Sequence, residues 1–423
     1  METYATALSY AIPGFAVLIL VEYFISVLMK KQVNYGLDTI SSISSGLTNT
    51  LKTLMGLTVV IVSHEWMVTH LAIYSVKSTA LIYILCFIGH DFAGYWSHRF
   101  NHTINLFWNR HIIHHSSEEF NLACALRQSV SAIVGIYFFL YIPMALIGIP
   151  VEVVALVAPI HFFAQFWYHT RLINKMGFLE YIIVTPSHHR VHHAINDRYL
   201  DKNYSEIFIV WDKLFGTFQK ELEEDPPVYG VKKPVRTWNP LLINFIHLWG
   251  IIKDAWRTKS WKDKLRIWFM PTGWRPKDVK IKYPISIIEN PFEMEKYRTS
   301  GSLFFVLWGW FQLVLTLVLM YFLLISVADL NMTQIVGYAM FLMISIFAYT
   351  SLMDRHGISL YAEIGKLALG AYFIYSSAGW FGLEKIIPFA SYAVGVYLLI
   401  SLLTTIYLLY YEKKNDLGEL IAA

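Results

Sequence analysis

The chain has 423 residues, 56% of them hydrophobic and only 15% charged, with a formal net charge of +4. Soluble domains average roughly 45–50% apolar and about 25% charged residues, so the composition excludes an ordinary water-soluble globule, and the small positive charge gives no basis for nucleic-acid binding. The two cysteines, Cys86 and Cys124, exclude both a disulfide framework and a thiolate zinc site.

A helix needs about 20 apolar residues to cross a bilayer. Nine segments are long enough: 5–29, 51–73, 78–97, 130–149, 151–170, 303–327, 334–353, 365–383 and 387–411. The first basic residue, Lys30, follows the first apolar run, so that run lacks the charged start of a cleavable signal peptide. Residues 171–302 form a polar stretch rich in Trp, Lys and Pro that holds 22 of the 34 basic residues. With the N-terminus outside, only Lys77 and Lys385 fall on the non-cytoplasmic side, the bias that sets orientation. Within 250–300, Trp256, Trp261, Trp268 and Trp274 alternate with Lys253, Arg257, Lys262, Lys264 and Arg266, a mix suited to helices lying at the headgroup level. The expectation is an all-α polytopic integral membrane protein of about nine transmembrane helices, N-out and C-in, with a cytosolic catalytic region. Its divisions are N-terminal transmembrane helices at 1–82, a catalytic region at 83–230, a cytosolic or interfacial segment at 231–302 and C-terminal transmembrane helices at 303–423.

Of the 16 histidines, 12 lie between His90 and His193. His98 and His102 are four residues apart; His111, His114 and His115 span three and four; His189, His192 and His193 repeat that spacing. Residues three and four apart share a helical face, so each box is expected to aim two or three imidazoles at one centre. Eight neutral imidazoles exceed the four to six ligands one ion takes and suit two ions; imidazole alone selects no metal among Fe, Zn, Cu and Ni. His169, at the cytosolic end of the fifth span, is a polar residue in an apolar run and is expected as a ninth ligand. His161 lies eight residues earlier, some 12 Å deeper at the ~1.5 Å helical rise. His64-Glu65 begins like a metalloprotease motif, but His70 is six residues on, about 240° around the helix. No dinucleotide fingerprint or phosphate loop is present, so electrons are expected from a separate donor. Asn203-Tyr204-Ser205 matches a glycosylation sequon on the expected cytosolic side, where it stays unmodified.

The boxes and their flanks resemble those of the fatty acid hydroxylase and sterol desaturase superfamily of membrane di-iron enzymes, nearest its glyceryl-ether-cleaving, alkylglycerol monooxygenase branch. The matching stretches are Asp91-Phe-Ala-Gly-Tyr-Trp-Ser-His98-Arg, His111 to Leu122, Ala125 to Ser129, Thr185 to His193, Asp201-Lys-Asn-Tyr204, Trp211 to Phe218 and Val228-Tyr-Gly230. The likeness is strongest over 83–230. At one position, directly after His102, that branch carries an acid and this chain carries Thr103.

The resemblance implies two Fe ions held by the boxes. It also implies O₂-dependent hydroxylation of an alkyl ether lipid beside the ether oxygen, with tetrahydrobiopterin as two-electron donor; no residue is assignable to the pterin. Asp91 lies two turns before His98 and is expected to accept the outer N–H of a ligand imidazole, as carboxylates commonly do. His188, one turn before His192, is expected beside the ligands rather than among them, because the family's third box begins at His189. Sterols, carotenoids or fatty acids remain alternative substrates for the same boxes, and a metal transporter is the non-enzyme alternative. The protein is expected in the endoplasmic reticulum membrane of a eukaryote or the inner membrane of a bacterium.

Overall fold

The computed structural model describes residues 2–376 and 379–412, and it is mostly helical. Residues 377–378 of the expected span 365–383, and 413–423 of the expected C-terminal region, lie outside the described residues. The helices in chain order are α1 (Glu2–Leu28), α2 (Gly36–Leu54), α3 (His64–Leu71), α4 (Ala80–Thr103), α5 (Asn105–Trp108), α6 (Ile112–His115), α7 (Ile142–Ile147), α8 (Val151–Phe163) and α9 (Pro186–His192). They continue with α10 (Val210–Leu214), α11 (Pro240–Arg257), α12 (Trp261–Arg266), α13 (Lys277–Lys282), α14 (Leu303–Ser326), α15 (Met332–Met353), α16 (Ile358–Ser376) and α17 (Ala390–Tyr407). A two-residue parallel pair joins β1 (Val59–Val60) to β2 (Val134–Gly135).

Among the described residues, four helices are long and apolar enough to cross a membrane: α1, α14, α15 and α17, taken with their terminal turns. This suggests an integral membrane protein, with fewer such helices than the nine apolar segments. Segment 78–97 coincides with α4 from Ala80 onward; 151–170 holds the 13-residue α8 and a loop; and 365–383 overlaps α16, which carries Glu363 and Lys366. Segments 51–73 and 130–149 are not continuous helices. Gly56, at φ +67°, ends α2; the chain then extends through β1 and re-enters helix where the Ser63 side chain accepts from Trp66 N–H. In 130–149, β2 leads into a tight turn over Ile136–Tyr141, Pro143 opens α7, and Gly148 at φ +82° closes it. Apolarity alone does not separate such broken segments from a spanning helix.

The polar sequence of α2 forms a buried helix. Leu37, Ile40, Leu47, Leu51 and Leu54 repeat at helical spacing and pack against α14 and α15. Ser41, Ser42, Ser44, Ser45 and Thr48 are fully buried; small side chains let neighbouring helices approach closely. Their hydroxyls are spent locally or on partners: Ser41 donates to the Trp238 carbonyl at 2.7 Å, and Ser44 meets the Tyr349 hydroxyl at 2.6 Å. Segment 231–302 lies against α2, α5 and α6 through α11, and Trp256 and Trp261 are exposed.

Within the C-terminal helices, Lys366 is fully buried and donates to Glu363 Oε1 at 2.9 Å, Ser401 Oγ at 2.8 Å and Tyr397 OH at 3.2 Å. Tyr397 OH in turn donates to Gln312 Oε1 at 2.6 Å, and Gln312 Nε2 donates to Ser401. Lys366→Met leaves the Glu363 carboxylate buried without its cation, which is expected to cost about 3–5 kcal/mol and to lower the melting temperature in detergent. Lys366→Met combined with Glu363→Leu removes both charges and is expected to recover most of the loss; equal destabilisation in the single and double variants would refute a role for the ion pair.

Candidate metal centre

The imidazoles are carried by the end of the long helix α4 and by short helices and loops further along the chain. His98 and His102 occupy the last turns of α4, and Thr103 closes that helix by donating to the Arg99 carbonyl at 2.8 Å. His111 precedes α6, which holds His114 and His115. The third box is α9, begun by Thr185 and Pro186. His188 completes its start, with Nδ1 at 3.4 Å from Thr185 N and Oγ1. His188 is thus a capping residue and touches no box imidazole through these bonds.

The structure gathers the nine expected ligands into two adjoining clusters, His98, His102, His111, His115 and His192 in one and His114, His169, His189 and His193 in the other. Within each cluster the candidate ligand atoms lie within 4.8 Å of one another. The clusters touch through the His115 and His193 rings, stacked with centroids 4.3 Å apart. Boxes two and three are therefore each divided between two centres, which corrects the expectation of one centre per box. The helical repeat explains the division. A four-residue step turns a side chain by about 40° and a three-residue step by about 60° the other way. His111 and His115 thus pair while His114 points aside; likewise His189 and His193 pair while His192 points aside.

The orientation of the rings defines their chemistry. His98 Nδ1 lies 2.7 Å from the Tyr204 carbonyl, His192 Nδ1 3.0 Å from that of Lys202, His169 Nδ1 3.0 Å from that of Gln165, and His114 Nδ1 3.3 Å from that of Arg127. A carbonyl only accepts, so these Nδ1 atoms carry the proton and each Nε2 carries a lone pair. Three of those Nε2 atoms face other Nε2 atoms, His98 to His111 at 2.9 Å, His169 to His189 at 2.8 Å and His114 to His193 at 3.1 Å, and the Nε2 atoms of His102 and His115 face each other at 3.1 Å. His192 Nε2 is buried with no hydrogen-bond partner. Metal–imidazole bonds of about 2.0–2.1 Å put neighbouring donors on one ion roughly 2.9–3.4 Å apart, the spacing found here. The all-nitrogen donor set therefore fits two metal ions.

Burial pushes the His102, His111, His114, His115, His189, His192 and His193 imidazoles well below their ordinary pKa, reinforced by their neighbours. Burial brings His98 down to about 4. The rings are neutral at pH 7, the form that binds metal.

Asp91 does not meet His98. It is fully buried and accepts from His161 Nε2 at 2.8 Å, Ile207 N at 2.9 Å, Phe208 N at 3.1 Å and Trp211 Nε1 at 2.8 Å. Seven residues of separation placed Asp91 and His98 on one face, but the nearer donors come from α8, from residues 207 and 208 and from the start of α10. His161 stands with Asp91 and Glu206 in a third group, apart from the nine. The carbonyl acceptors Tyr204, Lys202, Arg127 and Gln165 had no assigned role in the sequence, although the first three lie in stretches that match the family.

A cavity of about 480 Å³ opens on members of both clusters, including His98, His111, His114, His169 and His189. Its wall also includes Phe15, Phe162 and Phe166. A helical chain with membrane-length apolar helices and two adjoining all-imidazole clusters defines a histidine-rich membrane protein suited to a two-metal site. Residues 83–217, about a third of the chain, match the fatty acid hydroxylase family. It is 37% identical over 294 residues to alkylglycerol monooxygenase from Homo sapiens, covering 69% of this chain and 65% of the human protein. It is 39% identical over 233 residues to alkylglycerol monooxygenase from Xenopus tropicalis, covering 55% of this chain and 51% of the frog protein. Similarity extends to the ornithine lipid hydroxylase OlsE of Rhizobium tropici, at 29% over 128 residues, 30% of this chain and 39% of that protein. The chain thus spans between half and two-thirds of the alkylglycerol monooxygenases just named. No solved structure matches it.

Elemental analysis of anaerobically purified protein is expected to find about two metal ions per chain, one for each cluster. His192→Ala and His169→Ala, one from each cluster, should each lose at least about half of that metal. His161→Ala, bound to Asp91, should retain it; full retention in the His169 variant would remove that residue from the ligand set.

Proposed function

We propose that the protein is an O₂-dependent lipid monooxygenase with a dinuclear iron centre, acting on alkylglycerols at the carbon beside the ether oxygen. The observation that carries this reading is the pair of adjoining imidazole clusters opening onto one cavity. His98, His102, His111, His115 and His192 would hold one ion and His114, His169, His189 and His193 the other. Two bound iron ions would supply O₂ activation and the redox change that an unactivated C–H bond demands, chemistry that zinc lacks. The Nδ1–carbonyl bonds keep four of the imidazoles, His98, His114, His169 and His192, in the tautomer that binds metal through Nε2. Phe15, Phe162 and Phe166 would hold the alkyl chain and keep water away from the reacting carbon. Hydroxylation there gives a hemiacetal, which separates into a fatty aldehyde and a glycerol derivative.

Similarity to the alkylglycerol monooxygenases supports the ether substrate and tetrahydrobiopterin as external donor; the pterin has no assigned residues. None of the nine imidazoles lies on α1, α14, α15 or α17, the four membrane-length helices, which favours an enzyme at the membrane boundary over a metal transporter. The distribution of basic residues supports an N-out, C-in orientation with the clusters facing the cytosol.

Incubation with alkylglycerol, O₂ and reduced tetrahydrobiopterin is expected to yield fatty aldehyde at a pterin-dependent rate. Turnover of sterols or ornithine lipids alone would retain the hydroxylase and refute the ether substrate. For orientation, the native Cys86 and Cys124 are buried, so single added cysteines report cleanly. Asp329→Cys should react with impermeant thiol reagents in intact cells and Glu224→Cys should not; the reverse pattern would invert the topology.

A further inference from the structure

Two cations stand in the wall of the same cavity without an acidic partner. Lys52, in the last turn of α2, is 6% exposed, and Arg110, half-buried, immediately precedes His111. Lys52 Nζ donates to the carbonyls of Ser129 at 3.1 Å and Ala132 at 3.4 Å. Arg110 Nη1 donates to the Val134 carbonyl at 2.7 Å, and its guanidinium carbon lies 5.3 Å from the Tyr137 ring centroid. Both charges are therefore fastened to one backbone segment, 129–134.

Three other arginines near the centre are neutralised, while Arg99 on α4 meets the Tyr95 hydroxyl and the Trp96 ring. Arg127 pairs with Asp38 at 2.8 Å, Arg171 with Glu119 at 3.0 Å and Arg190 with Glu221 at 2.6 Å. Neither Lys52 nor Arg110 has a carboxylate within 4.0 Å among the described residues. Carbonyls and an aromatic ring solvate a cation but leave its charge. Two like charges held together in a partly desolvated wall are unfavourable until an anion joins them.

The surroundings say which anion. Val59, Val60, Ile61, Val134 and Phe139, on and beside the β1–β2 pair, are exposed and apolar, as expected where protein meets lipid tails. Cations beside such a rim sit at headgroup level. We propose that Lys52 and Arg110 bind an anionic headgroup, phosphate or carboxylate, and so favour, among the alkylglycerol lipids proposed above, those whose glycerol carries such a charged group while the alkyl chain occupies the cavity. This rests on reading the cavity as the lipid site. Because Arg110 adjoins His111, the headgroup would be anchored against the imidazole clusters. Oxidation is then directed to a carbon near the headgroup rather than to the far end of the chain.

Binding is tested without turnover, by native mass spectrometry of the full chain with hexadecyl phosphate and hexadecanol as paired probes. The wild type is expected to retain hexadecyl phosphate about tenfold better, and Lys52→Gln or Arg110→Gln to remove most of that preference while leaving hexadecanol unchanged; charged hydrogen bonds carry effects of this size. Lys52→Arg and Arg110→Lys should preserve the preference if charge is what matters, and Lys262→Gln, on α12, should not alter it. Equal retention of both probes by the wild type, or parallel loss of both in the Gln variants, would overturn the proposal. Displacement of hexadecyl phosphate by inorganic phosphate at equal concentration would assign the site to a free anion and overturn the headgroup reading. A wild type that prefers hexadecyl phosphate but cleaves no ether lipid would sink the monooxygenase reading and keep the anion site; active protein without the preference would do the opposite.

Discussion

Everything around the centre answers one constraint: several imidazole lone pairs must face one another in a buried space. Neutral rings with protonated Nδ1 atoms cannot satisfy each other through Nε2, and an unsatisfied buried polar atom costs about 1–3 kcal/mol. Such an arrangement persists only if the outer Nδ1–H groups are well held and a cation is accommodated within. The outer acceptors are carbonyls, so the task passes to the loops that carry them. Three buried aspartates organise those loops. Asp212 accepts from Tyr204 N and Ser205 N at 2.8 Å each and from Thr217 Oγ1 at 2.6 Å, fixing the carbonyl that receives His98. Asp91 fixes the following residues, 207 and 208, and Asp38 grips Arg127, whose carbonyl receives His114.

Asp38 stands on α2, and this ties the centre to the C-terminal helices. Arg127 reaches Asp38 Oδ1 at 2.8 Å, Ser42 Oγ at 2.9 Å and Ser116 Oγ at 2.7 Å, joining α2 to the loops after the second box. On its other sides α2 packs into the large apolar core with Leu323, Ile335, Phe341 and Ile346. The small side chains of α2 allow these approaches at once, and its hydroxyls prevent the close packing from stranding polar backbone. A helix that looks too polar for the interior is therefore the element joining the C-terminal bundle to the clusters.

This explains which features were legible in the sequence. The boxes were visible because ligand spacing is a local property of a helix. His169 was visible as a polar residue at the end of an apolar run. The division of boxes between two centres was not, since rotations of about 40° and 60° look alike until a partner helix fixes the viewpoint. Asp91 was a sound carboxylate with the wrong partner: sequence separation measures position along α4, whereas its donors arrive from residues 161 and 207–211. Broken spans escaped because Gly56 and Gly148 act through positive φ, which hydropathy does not register. The helix α2 escaped for the converse reason, its serines lowering hydropathy without lowering burial.

Placing seven of the nine imidazoles on short helices and loops, and the other two at the end of α4 rather than on the membrane-length helices, also has an energetic consequence. Long helices in lipid satisfy their own backbone and need no ligand to persist. The segments that hold the imidazoles satisfy theirs through side chains and one another, so the cost of the facing lone pairs falls on the less self-sufficient half of the molecule. Metal binding to the neutral imidazoles would then contribute directly to the folding of that half. The bundle, whose internal polar network is separate from the centre, can hold its own packing while the half that carries the imidazoles would order around bound ions. Specificity can change in the cavity wall, at positions such as Lys52 and Arg110, without disturbing the carbonyl scaffold that orients the ligands.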